Sequence, residues 1–148
     1  SVSDFYGNKI KENITLKFTT IAPPVVTPGM YDAIASNAEE LLEALAKGNE
    51  ASTSGERFRI FLHDGIYDLG ELCLTDVKSN ISLIGESMEN TIIVNKAPVE
   101  GISVSATLRP TGENIYMQDL TLKNDYDYQG STGRAVCLQE GRGRLRDL

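Results

Sequence analysis

The chain has 148 residues, 41% of them apolar and 24% charged, enough for one domain with a real core and ordinary for a soluble globular protein. No apolar run approaches the length of about eighteen residues that spans a bilayer. A net charge of −7 argues against a nucleic-acid partner, because phosphate binding needs a basic face.

Residues 1–22 differ in pattern from the rest of the chain. Ser3-Asp4-Phe5-Tyr6-Gly7-Asn8 is turn-forming, and Ile14 to Thr19 alternates apolar and polar residues as a half-buried strand does. Ala22-Pro23-Pro24 and Thr27-Pro28-Gly29 then break any regular element, so 23–30 reads as a linker. The chain opens on Ser1 rather than Met, and the expectation is that its natural start lies upstream. Ser36-Asn37-Ala38-Glu39 is a capping box followed by Leu41, Leu42 and Leu45 at helical spacing, with Lys47 and Gly48 as a stop. This predicts a helix over 37–47, then a polar loop from Asn49 to Glu56.

From Arg57 onward short apolar, β-branched runs take over. They are Phe58 to Leu62, Leu72 to Leu74, Ile81 to Ile84, Thr91 to Val94, Ile102 to Val104, Ile115 to Met117, Leu120 to Leu122 and Ala135 to Leu138. Asn80-Ile81-Ser82-Leu83 and Asn114-Ile115-Tyr116-Met117 repeat loosely. Many short strands with polar corners suit stacked coils, each burying little alone. The predicted helix stands where such a stack needs an N-terminal cap. At the other end, Leu145-Arg146-Asp147-Leu148 stops inside a strand-like pattern, so the expected solenoid is unfinished there.

Familiar catalytic motifs are mostly missing. Gly101-Ile102-Ser103-Val104-Ser105 lacks the second glycine of a nucleophile elbow, and His63, the single histidine, reads as a strand-end residue. Cys73 and Cys137 sit in apolar runs and read as buried free thiols in preference to a disulfide; a zinc site is not expected. Arg134, Arg142, Arg144 and Arg146 cluster without interleaved aromatics and read as a solvated face.

Taken in order, several stretches resemble the pectin methylesterase family. Ile60 to Tyr67 resembles its opening strand with the Gly-x-Tyr ending, and Asn80 to Glu86 with Thr91-Ile92-Ile93 its second coil. Ser105-Ala106-Thr107-Leu108 is similar to the Ser/Thr-Ala-Thr-apolar motif. Asn114 to Asn124 is similar to the strand pair ending in Leu-Thr-Leu-x-Asn, and Arg134-Ala135-Val136-Cys137-Leu138 to Gln-Ala-Val-Ala-Leu. The resemblance implies an all-β chain: a single-stranded, right-handed parallel β-helix of the pectin-lyase-like kind over 31–148, with an N-terminal capping helix. Residues 1–22 resemble the tail of a bacterial immunoglobulin-like domain, through Asp4, Gly7, Asn8 and Phe18-Thr19-Thr20.

The family hydrolyses galacturonate methyl esters with paired aspartates and no metal or other cofactor. Its first aspartate lies in a Gln-Asp-Thr motif, which this sequence lacks; Gln118-Asp119-Leu120 belongs to an earlier coil. By resemblance no catalytic aspartate falls within the chain, which alone is expected to be inactive. Arg134 stands where the family places its oxyanion glutamine: either it keeps a role in the cleft or that role has moved to Gln139. Thr107 matches a groove-lining threonine, although stacked threonines inside a β-helix are commonly structural. Tyr116, Tyr126 and Tyr128 either stack on sugar or serve as turn residues. The implied partner is pectin or a related polysaccharide, and the implied location is secreted, periplasmic or cell-surface. The alternatives are a non-catalytic polysaccharide-binding solenoid and a structural solenoid of a surface protein.

Overall fold

A computed structural model describes residues 29–99, 101–126 and 143–146. The expected tail at 1–22, most of the linker, Tyr128, and the run at 135–138 with Cys137 lie outside the described residues. Among the described residues eight short strands form two sheets. β1 (Ala33–Ala35), β2 (Phe58–Leu62), β4 (Ile81–Gly85), β6 (Ile115–Gln118) and β8 (Gly143–Arg146) make one, in that spatial order; β3 (Gly65–Asp68), β5 (Thr91–Asn95) and β7 (Thr121–Asn124) make the other. Every pairing is parallel. From β2 onward the strands thus alternate between the two sheets, and each pass lies beside the pass before it, which fits a parallel β-helix.

The register explains why the runs are apolar where they are. Ile60, Leu83 and Met117 stand opposite one another in β2, β4 and β6, and all three are fully buried. Across the interior, Tyr67 and Ile93 align in β3 and β5. Parallel strands cannot be joined by a tight hairpin, so each coil is separately threaded and gains its core only from its neighbours.

The loose repeat at Asn80 and Asn114 is a corner ladder. Both residues adopt the left-handed conformation that asparagine tolerates, at φ 62° and 58°. The Asn114 side-chain amide donates to Oδ1 of Asn80 at 3.1 Å, across 34 residues of sequence. Backbone bonds run beside it, from Asn80 N to the Glu113 carbonyl and from Phe58 N to the Asn80 carbonyl, both 2.9 Å.

Helix α1 (Ala38–Ala51) packs Leu41, Ala44 and Leu45 into the core next to β1 and β2. Its start is one residue later than the predicted box: Asn37 is the N-cap, accepting from Glu40 N at 2.9 Å, and the Glu40 carboxylate takes the Ser36 N–H at 2.7 Å. Gly48 does not end the helix. A Cβ there would meet the Phe58 ring at 3.0 Å, so glycine serves close packing of α1 on β2. The expected loop from Asn49 is instead the last helical turn and a 3₁₀ turn, Ser52–Ser54. Asn49 is buried and binds the Asp76 carbonyl and the Lys78 N–H, tying the helix to the strand approach of β4. Gly55, at φ 80°, makes the actual stop.

Two further expectations change. Leu72 to Leu74 forms no strand beyond a parallel bridge from Leu74 to Leu108, and residues Ile102–Ser105 form a helical turn, α2, rather than a strand. A mainly apolar run of only three residues does not distinguish a strand from a coil corner. Among the described residues no helix is long and apolar enough to cross a membrane.

Close stacking makes Gly85 indispensable. A Cβ at this position would lie 1.9 Å from the carbonyl oxygen of Asp119 in the next coil, itself left-handed at φ 53°. Gly85→Ala is expected to cost about 3 kcal/mol in urea unfolding, whereas alanine at the equally extended but open Gly65 costs far less.

Candidate functional site

The Leu74–Leu108 bridge marks a third line along which coils pair, and the Ser105-Ala106-Thr107-Leu108 stretch lies on it. Leu74 N donates to the Thr107 carbonyl at 3.0 Å, and Arg109 N to the Leu74 carbonyl at 2.8 Å. Ser105, Ala106, Thr107 and Leu108 are all buried. Burial leaves the carbonyls of Ser105 and Ala106 in need of donors. Two strand-end asparagines supply them: Asn95 Nδ2 faces both oxygens at 3.5 and 3.4 Å, and Asn124 Nδ2 donates to the Ser105 carbonyl at 2.6 Å. Asn95 and Asn124 are themselves opposite each other in the β5–β7 register.

Thr107 completes this network. Its Oγ1 lies 2.8 Å from Asn95 Oδ1 and 2.9 Å from the Lys123 carbonyl, and its one proton serves one of them at a time. The side chain has no exposed surface, so in this structure it joins β5 and β7 from within. Arg134 and Gln139 lie outside the described residues. Tyr116 belongs to β6, whereas Tyr126 lies in no strand, two residues beyond the end of β7 in the other sheet. Asn95 escaped notice in the sequence; the signal was the shared ending of Ile92 to Asn95 and Thr121 to Asn124, each closing its strand on asparagine.

A second polar cluster occupies the corner after β2. His63 Nδ1 is 3.1 Å from Glu86 Oε2, which also accepts the Asp64 N–H at 3.0 Å. Asp64 Oδ1 takes the hydroxyls of Ser87 at 2.7 Å and Thr91 at 3.1 Å, and Asn90 Nδ2 donates to Ser87 Oγ at 3.1 Å. The Ser87 proton is thus directed at a carboxylate, not at His63, and the cluster lacks the Ser-to-His contact of an activated nucleophile. No group of three His, Cys, Asp or Glu among the described residues could hold a metal ion. Cys73 is half-buried and in no disulfide.

Tyr67, from the Gly-x-Tyr stretch, seals the same end. Its hydroxyl is 2.8 Å from the carbonyls of both Ala35 and His63, joining β1 to the end of β2. Burial, reinforced by the negative charges of Glu40, Asp64 and Glu86, pushes its pKa up from 10.0 to about 12. The neutral form is therefore the one that folding favours. Its contribution is complete below pH 10 and is lost as the pH rises toward 12. Tyr67→Phe is expected to cost about 1–2 kcal/mol near neutrality and to remove this alkaline loss; thermal melts against pH measure both.

The Asp64 N–H, then the His63 ring, hold the Glu86 carboxyl below its ordinary value of 4.5. A depressed pKa stabilises the fold above the unfolded value and is lost as the pH falls through the folded one. Melting temperature is expected to drop less steeply below pH 4.5 in Glu86→Gln than in the parent chain.

No family model matches the chain, and no curated protein matches it. Among solved structures it is similar to a mutant pectin methylesterase in complex with a hexasaccharide. The TM-score is 0.61 at 20% identity, covering 80% of this chain and 42% of that one. The chain thus spans less than half the length of the protein it matches. The likeness is one of fold, and with the all-parallel sheets it fits a pectin-lyase-like parallel β-helix.

Proposed function

We propose that residues 31–148 form the N-terminal coils of a closed, right-handed β-helix belonging to a pectin methylesterase-like carbohydrate esterase, preceded by the tail of an immunoglobulin-like domain at 1–22 and a linker at 23–30. The observation that carries this reading is the fold likeness over 80% of the chain, with the resembling stretches arranged in the family's order. The substrate is a galacturonan methyl ester, met outside the cell or at its surface.

The chemistry calls for one carboxylate to attack the ester carbonyl carbon as the methoxyl group leaves, protonated by a second carboxyl, as methanol. Water, deprotonated by that second group, then cleaves the acyl intermediate and restores the nucleophile. In the family's motif order both aspartates come after residue 148. Donors must face the oxygen on which negative charge develops. Arg134, whose guanidinium is always charged, is proposed for that position, with Gln139 as the other candidate. Thr107 supports the cleft by fixing the coil on which it is built.

Methanol release from methylesterified pectin tests the reading. The 148-residue chain is expected to release none, and a longer gene product that carries Gln-Asp-Thr to release it readily; lack of that motif would favour a binding solenoid. Methanol from the short chain would contradict the placement of the aspartates. A full product that binds pectin without releasing methanol would favour the non-catalytic solenoid.

A further inference from the structure

The outer face of the β3–β5–β7 sheet carries an open groove of about 490 Å³, within the range of small-molecule sites, roughly 300–1,000 Å³. Its floor is aliphatic. Ile66 is 70% exposed and stands opposite the half-buried Ile92, and Val94 lies alongside. An isoleucine so exposed on a regular strand does nothing for the core it points away from.

The rim is charged, and its charges are unequally committed. Lys123 is paired with Asp125 at 3.2 Å, and Asp68 accepts the Gly70 N–H at 2.8 Å. Lys96 is exposed and has no ion-pair partner among the described residues; its backbone N–H donates to the Gly70 carbonyl at 2.7 Å, beside Glu71, which also lines the groove in the turn after β3. The site therefore combines an apolar floor, one uncommitted cation and carboxylates that accept hydrogen bonds from hydroxyls. It runs across three strands, about 10 Å at the usual spacing, on a different sheet from β6, and at one end it borders the Leu74–Leu108 line through Asn95 and Lys123, the partners of Thr107.

We propose that this groove is an accessory binding site for partly methylesterified galacturonan, on the sheet beside the proposed reacting cleft and not within it. Sugar C–H faces and methyl ester groups lie on Ile66, Ile92 and Val94. A free uronate carboxylate meets Lys96, and ring hydroxyls donate to Asp68 and Glu71. The complementarity selects the polymer: a mixed chain offers both the apolar ester and the anion that the floor and Lys96 ask for. The inference rests on the polysaccharide reading above, yet it concerns binding by these coils alone, with no reaction.

Calorimetric titration of the 148-residue chain with two galacturonate hexasaccharides, one partly and one fully methylesterified, tests it. The chain binds both. Ile66→Asp, at a position too exposed to matter for folding, weakens both about tenfold or more. Lys96→Glu weakens only the partly esterified one, and thermal melts confirm that both variants are folded. Binding unchanged by Ile66→Asp overturns the groove, and equal effects of Lys96→Glu on the two ligands overturn the carboxylate contact. Absence of binding to either hexasaccharide overturns the accessory site, and methanol release by the full gene product still decides the esterase reading separately.

Discussion

The rest of the structure depends on the backbone hydrogen bonds that join each coil to its neighbours. Among the described residues every strand pairing is parallel and joins neighbouring coils, and no local hairpin there holds a coil in place. A coil is stable only if its inward residues meet the inward residues of its neighbours at the same register. Ile60, Leu83 and Met117 satisfy that condition, and the Asn80–Asn114 ladder repeats it at the corner in polar form. Gly85 shows the tolerance: the next coil's Asp119 carbonyl passes where any side chain would stand. At the N-terminal end of the described residues, α1 packs Leu41, Ala44 and Leu45 into the core, while Tyr67 ties β1 to β2.

Much of this was legible in the residues. Phe58 to Leu62, Ile81 to Ile84, Thr91 to Val94 and Ile115 to Met117 are strands because β-branched and apolar residues at those positions fill a two-sided interior. The 34-residue echo between Asn80 and Asn114 is a true stacking distance. What misled was local and short. Gly48 looks like a helix stop, but Phe58 packs on it from β2, and tertiary contact decides. Ile102 to Val104 has a strand's composition yet turns as a helix. Leu120 to Leu122 begins one residue early, because the left-handed Asp119 makes a corner that β7 leaves only at Thr121.

The candidate site was legible in its motif and not in its geometry. The Ser105 to Leu108 stretch stands where Leu74 and Leu108 pair outside the two sheets. Its threonine, however, is spent inward on Asn95 and the Lys123 carbonyl. A sequence states that a hydroxyl is present but not which way it faces, and here the buried carbonyls of Ser105 and Ala106 decide. Through the shared Asn95 and Asn124, any loosening of this network would reach β5 and β7 together. Preorganised sites are built on such rigid supports.

The central claim is the parallel, in-register stacking of coils, and nuclear Overhauser contacts between β4 and β6 test it most directly. The account predicts contacts joining Ser82 with Tyr116, Leu83 with Met117 and Ile84 with Gln118. Contacts joining Ser82 with Gln118 and Ile84 with Tyr116 would mean antiparallel pairing and would contradict the solenoid, together with the functional reading placed upon it.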